Sequence, residues 1–469
     1  MKLPGFIDSH LHVLGMGYVA SNVDLTKAKS IEEMVQLLSS KHNKSIIVGR
    51  GWNQEQFDEG KMPDKYDLNR VSSSKPVIAI RTCGHILVVN DAMLKLAGLT
   101  KKTAQIEGGF FDIDKGIFKE NAISLIYSNM PKPTKDDLKS YFLLANDILV
   151  SQGITHVASD DFCVFDIDYK VIIDVLEELY NKGLMNVKIT EQVNLPIDQF
   201  QKFIDEGYAN KIIHSKFKMG PLKILADGSL GGRTAALNQP YSDEPSEQGI
   251  LTYRDDDLYR LICLADQHNM DSVIHAIGDR AAKQVVGVLE KCILKSQRKI
   301  HHHALIHAQL LDELTIKQMQ ELGIGAIVQP IFMNSDINMV KSRLGTRCPQ
   351  AYPFKTLFNS VNLGFSSDAP IETSNPFHNI YSAMTFKSIK HPEFHSFSLK
   401  QQFTLEESLK AYYKNNLVYV YEKSLPEGDY TIIDRDLRSC SKEEIKEIKV
   451  IKTVIDGVEV FRKKEKVFL

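Results

Sequence analysis

Apolar runs of five to eight residues, each ending at or beside a polar one, recur at residues 5–12, 153–158, 187–193, 221–226, 271–275, 303–307, 323–329 and 362–366. Runs of this length read as strands buried on both faces. Between them, at 135–149, 169–180, 255–268, 280–294 and 311–322, apolar residues recur at helical spacing. Strands alternating with helices predict a parallel sheet, and eight of them predict closure into a TIM (β/α)8 barrel. An open doubly wound sheet is the alternative, but no GxGxxG motif accompanies it.

Two regions break this rhythm. Residues 45–127 are rich in β-branched segments and turns, and read as an inserted β-rich subdomain over the barrel mouth. Residues 421–469 change to alternating segments at 430–433, 448–455 and 459–461, with Asp456-Gly457 as a hairpin turn. They read as a small C-terminal β appendage, an incomplete β-sandwich. The barrel then spans residues 1–420.

Composition narrows the function. The 469 residues carry 57 Lys and Arg against 59 Asp and Glu, a net charge of −2, with 43 % hydrophobic and 25 % charged residues. That is ordinary globular usage. The charge balance argues against nucleic acid or a membrane surface as partner. No apolar run approaches the roughly 18 residues of a membrane span, and the first residues lack an apolar signal core, so the expected compartment is the cytoplasm. The six cysteines are dispersed without a CxxC pair and read as free thiols, mostly buried.

Chemistry collects at the strand ends. His10 and His12 close the first strand two residues apart, so both rings can face the barrel axis and share one ion. His275 ends a later strand and His307 the next; of His301, His303 and His307, the last lies nearest the C-terminal rim. Asp368 follows the final strand. Lys223 sits in an apolar strand, where it snorkels out, pairs with Asp227, or is neutral and takes up CO2 as a carbamate able to bridge two metals. Imidazole and carboxylate together suit Zn, Fe, Ni or Mn. Barrel enzymes keep their chemistry at this end of the strands.

The chain resembles the amidohydrolase superfamily, and within it the N-substituted formamide deformylase (YtcJ-like) branch. The resemblance rests on residues 4–12 (PGFIDSHLH), 81–85 (RTCGH), 153–157 (GITHV), 223–237 (KILADGSLGGRTAAL) and 275–281 (HAIGDRA), and on 307–309 (HAQ), 329–330, 367–370 (SDAP) and 375–376. It implies His10, His12, His275 and His307 as metal ligands, Lys223 as a carboxylated bridging lysine, and Asp368 as ligand and general base. It also implies one or two divalent ions, most often Zn. Ile306 stands where the branch carries an acidic residue. The branch also carries some fifty residues ahead of the first motif, whose strands would pair with the C-terminal ones.

The expected activity is hydrolysis of a non-peptide amide (C–N) bond in a small molecule, with metal-activated water as nucleophile and Asp368 as general base. Trp52, Arg81, His85 and Arg233 are candidate substrate contacts, the last in a glycine-rich loop at 228–237 that could act as a lid. Alternatives are a lactone, phosphoester or deamination substrate at the same site, or a metal-free barrel turned binding or assembly protein. A sheet edge left open at the C-terminus favours a homodimer.

Overall fold

The computed structural model describes residues 1–41, 45–82, 84–106, 108–394 and 396–464. Cys83 and Lys466 lie outside them. The chain forms two compact units: Met1–Gly17 with Lys135–Leu469, and Tyr18–Thr134.

The first unit holds the barrel. Its strands are Phe6–Leu11, Ile154–Ser159, Lys188–Val193, Phe217–Leu225, Ser272–Ala276, Ala304–His307, Gly325–Val328 and Leu363–Phe365. Each pairs in parallel with the next in chain order. They are buried almost throughout, which is why they read as continuous apolar runs. Between successive strands lie helices Lys135–Ser151, Tyr169–Asn181, Ile197–Asp205, Asp255–Gln267, Asp279–Ile293, Glu313–Leu322 and Phe354–Ser360, and Leu405–Tyr412 follows the last strand. Helical spacing does not pick out Ile197–Asp205 or Phe354–Ser360, because their 9 and 7 residues are too few for the period to stand out.

The eighth and first strands share no ladder and are joined by other bonds. Asp368 N–H donates to the His10 carbonyl at 2.9 Å and His12 N–H to the Ala369 carbonyl at 2.8 Å. Ser9 Oγ donates to the Phe365 carbonyl at 3.1 Å. Buried Asn416 donates to both strands, reaching the Ile7 carbonyl at 2.7 Å and the Phe365 carbonyl at 2.8 Å. This seam sets the first-strand histidines beside Asp368.

The C-terminal strands do not lack an N-terminal partner. Lys2–Pro4 adds to Tyr430–Ile433, giving a four-stranded antiparallel sheet completed by Val450–Ile455 and Val458–Arg462. Three residues suffice because the strand lies at the edge, where Pro4 needs no N–H partner. Asp456 and Gly457 make the hairpin turn with φ of 51° and 78°. Lys188, at the start of the third barrel strand, ties the sheet to the barrel through Asp429 at 2.9 Å and Asp456 at 2.7 Å.

The second unit, Tyr18–Thr134, is wider than the 45–127 expected from turn density. Its six-stranded mixed sheet orders Val23–Asp24, Ile47–Trp52, Val77–Arg81, Ile86–Val89, Ile117–Glu120 and Gly109–Asp112. Alternate residues feed two cores: Ile47, Val77, Ala79 and Val88 on one face, and Val48, Ile78, Ile80 and Val89 on the other. Among the described residues no helix is long and apolar enough to cross a membrane.

Candidate metal centre

The site assembles at the C-terminal ends of the barrel strands. His10 lies in the first strand and His12 just past its end, with ring centroids 5.3 Å apart. His10 Nδ1 is 2.6 Å from Gln192 Oε1, while Gln192 Nε2 donates to the Ser9 carbonyl at 3.0 Å. The amide is thereby oriented, so His10 Nδ1 carries the proton and Nε2 the lone pair. His307 repeats the arrangement. Its Nδ1 faces Gln329 Oε1 at 2.8 Å, and Gln329 Nε2 donates to Ser366 Oγ at 2.7 Å. His12 Nδ1 donates to the Asp160 carbonyl at 2.7 Å.

Three imidazoles are therefore left with Nε2 as their remaining nitrogen, and a carboxylate meets two of them. Asp368 Oδ1 lies 3.4 Å from His10 Nε2 and 3.1 Å from His12 Nε2. The ligand atoms of His10, His307 and Asp368 fall within 4.8 Å of one another, and all three residues are buried. Lone pairs face lone pairs across this gap, so a proton or a cation must sit there. Burial, then the Lys223 charge, pulls His10 down to about 4. Burial and the neighbouring His275 push His307 well below the ordinary imidazole value. Burial acts on His12 too, but its bond to Asp368 and the Asp160 charge outweigh it and place His12 at about 9. Burial opposes ionisation of Asp368, yet its bonds to His10 and His12 hold it well below the carboxylate range. An ionised carboxylate among imidazoles that expose Nε2 is a donor set that fits a divalent ion.

His275 joins the group differently. Its ring packs edge-to-face on His307, with centroids 4.5 Å apart. Its Nε2 is 3.1 Å from the Gly228 carbonyl and 3.3 Å from Asp227 Oδ1, so Nδ1 is the nitrogen left to meet an ion. Lys223 is 3 % exposed, and its charge acts on His10, His12 and His307, so it belongs to the cluster. It does not pair with Asp227. That carboxylate accepts the backbone N–H groups of Ala236, Ile277 and Gly278 instead. The acid nearest Lys223 is Asp160, with Nζ–Oδ2 at 3.9 Å. Asp160 also accepts from Asn194 at 3.0 Å and from the Cys163 thiol at 3.2 Å. His12, Asp160 and Cys163 form a second group of potential ligands.

Ile306 points into an apolar cluster with Val273 and Ile327, so it plays no part in orienting His307; Gln329 of the next strand does that. Gln192 and Asp160 escape the sequence reading, and Gln329 enters it only as part of the 329–330 motif, with no role in the site. Only their places at strand ends could have marked them. Three residues of the site carry positive φ without being glycine: His307 at 74°, Ala308 at 46° and Asp368 at 56°. Such backbone persists where surrounding bonds over-determine it.

Of the expected substrate contacts, Trp52, Arg81 and His85 lie in the insert and Arg233 on the barrel unit. Trp52 is fully buried in the core of the insert, stacked on Phe57, because its strand position faces the side packed by Leu38 and Leu68. Arg81 is held by Gln54 at 2.9 Å and Asn53 at 3.2 Å, whereas His85 is exposed beside Glu120. Arg233 pairs with Asp243, which Arg343 also holds while donating to the Gly231 carbonyl at 3.0 Å. The 228–237 loop is thus braced rather than free. At its base, a Cβ on Gly278 would collide with the Ala236 carbonyl. The five described cysteines are free, but only Cys292 and Cys348 are buried.

Comparison with known proteins agrees with this geometry. The Bacillus subtilis (strain 168) protein named amidohydrolase YtcJ is 31 % identical over 99 % of this chain and 89 % of its own length. The N-substituted formamide deformylase of Arthrobacter pascens is 22 % identical over 97 % of this chain and 87 % of its own. The crystal structure of an uncharacterized metal-dependent hydrolase from Pyrococcus horikoshii OT3 superposes with a TM-score of 0.79 at 29 % identity, covering 94 % of this chain and 87 % of that one. The amidohydrolase family model matches residues 1–461, and with the barrel and its converging donors in place, the chain belongs to the amidohydrolase family.

Proposed function

We propose that this metal-dependent hydrolase cleaves a non-peptide amide bond of a small molecule. One observation carries the reading: His10, His12 and His307 each keep Nδ1 occupied, Nε2 of His10 and of His12 meets Asp368, and the ligand atoms of His10, His307 and Asp368 lie within 4.8 Å of one another. That convergence speaks against a metal-free binding barrel. His10, His12, His307, Asp368 and Nδ1 of His275 would hold the metal, with Zn the first choice for this donor set and Fe, Mn or Ni within its range. Lys223, carboxylated, would complete a two-metal site; its burial among the histidines supports this. When bound, a divalent ion acidifies water and polarises a carbonyl. Asp368, ionised and touching the histidines, takes the proton of the attacking water and returns it to the leaving nitrogen. The braced 228–237 loop and Arg233 serve substrate contact on the barrel, and Arg81 and His85 are the insert's candidates. The C–N preference rests on the likeness to the formamide deformylase. The Val458–Arg462 edge, which no other strand pairs among the described residues, is where two copies would pair as a homodimer.

The test is a screen of the Zn- or Mn-loaded protein, prepared with CO2 present, against formamides, other amides, lactones and phosphoesters. Amide turnover that Asp368→Asn lowers by about 10²–10⁴ supports the assignment. Turnover confined to lactones or phosphoesters overturns it.

A further inference from the structure

On the outer face of the barrel, Cys263 of helix Asp255–Gln267 meets Cys292 of the adjacent helix Asp279–Ile293, with Sγ atoms 3.2 Å apart. Both are free thiols. Cys292 is 2 % exposed, whereas Cys263 is half-buried. A groove of about 760 Å³, lined also by Tyr259, Asp266, Lys295 and Arg298, reaches the pair. A second groove shares Cys263, so that thiol is approachable from two sides. Lys295 Nζ stands 5.3 Å from the ring of Tyr259, which lines both grooves beside Cys263. None of this belongs to the metal centre. Cys292 lies thirteen residues beyond Asp279, which at 1.5 Å per residue is about 20 Å from the helix end that touches the Asp227 loop.

We propose that Cys263 and Cys292 are a redox-modifiable dithiol that reacts with low-molecular-weight disulfides and closes to an intrachain disulfide. Cys263 loses its proton and attacks one sulfur of the small disulfide. A mixed disulfide forms, and the displaced thiolate takes up a proton. Cys292 then loses its proton and attacks the Cys263 sulfur, so the mixed bond breaks and the second small thiolate leaves and is protonated. Two protein thiols are oxidised and one small disulfide is reduced to two thiols. Exposure sets the order, because a reagent in the groove reaches Cys263 before Cys292. Moving the sulfurs from 3.2 Å to a bond of about 2.05 Å needs a shift of roughly 1 Å.

The experiment incubates the reduced, metal-loaded, full-length protein with glutathione disulfide and maps its peptides without reduction. The expected product joins the Cys263 and Cys292 peptides with loss of two hydrogens, and the oxidised protein melts about 3 °C higher. Cys292→Ser should trap glutathione on Cys263, and Cys263→Ser should leave Cys292 unmodified. Phenylarsine oxide, which bridges two neighbouring thiols, should block both in the wild-type chain at one equivalent. Glutathione remaining on Cys263 of the wild type with no cross-link, or phenylarsine oxide leaving Cys292 free, overturns the proposal.

Discussion

In the metal-free site a proton on His12 Nε2 stands where the ion would bind, so metal uptake must expel it. His12 titrates at about 9, lifted chiefly by Asp368 and Asp160 against its burial. His10, at about 4, and His307, held well below the ordinary imidazole value by burial, are already neutral near pH 7, and Asp368 is already ionised, so none of them releases a proton there. At pH 7 the proton on His12 competes by two pH units. Apparent affinity is then about 100-fold below its limit, roughly 2.7 kcal/mol. Affinity should rise about tenfold per pH unit from 6 to 8 and level off near 9. Competition against a fluorescent zinc chelator measures the slope. Calorimetry at pH 7 in two buffers of different ionisation enthalpy should count about one proton per ion. Both need CO2-depleted buffer, because carboxylation of Lys223 would release protons of its own. An affinity that is flat between pH 6 and 8, with no proton released, would refute the arrangement of His12 and Asp368.

Gln329→Leu keeps the side-chain size but leaves His307 Nδ1 without its acceptor; metal affinity by equilibrium dialysis should fall about 10–100-fold while the far-UV spectrum stays unchanged. Lys223→Ala should lose metal and turnover together, with partial rescue by short carboxylates; full metal content and full activity would show that Lys223 bridges nothing. Asn416→Ala strips one bond each from the buried Ile7 and Phe365 carbonyls and should cost about 2–3 kcal/mol in urea unfolding. Sedimentation at micromolar concentration should show a dimer that becomes a monomer when residues 456–469 are removed.

Much of the barrel is legible in the chain because parallel strands buried on both faces leave uninterrupted apolar runs, and each run stops where a side chain turns toward chemistry. His12, His275, His307 and Asp368 lie at or just past such stops, whereas His10 and Lys223 sit inside their runs. Spacing alone places the first two together, since residues two apart on a strand share a face. What the tertiary structure decides is which atom each residue presents. Gln192, two strands away, sets the tautomer of His10, and Gln329, just past the adjacent strand, sets that of His307; no local pattern announces an amide that acts across a sheet. Asp160 rather than Asp227 faces Lys223, because Asp227 is consumed by three backbone N–H groups from two loops. Trp52 looks like a site residue in sequence and is core in space, because the sheet of the insert buries both of its faces. Lys2–Pro4 lies ahead of the first apolar run and carries no strand signal of its own, yet it forms a strand when Tyr430, more than four hundred residues away, supplies the partner backbone. The same holds for Cys263 and Cys292, which helix packing brings to 3.2 Å. Local sequence sets periodicity and strand-end chemistry; contacts between distant segments set protonation, orientation and partner, because those depend on which lone pair meets which donor in space.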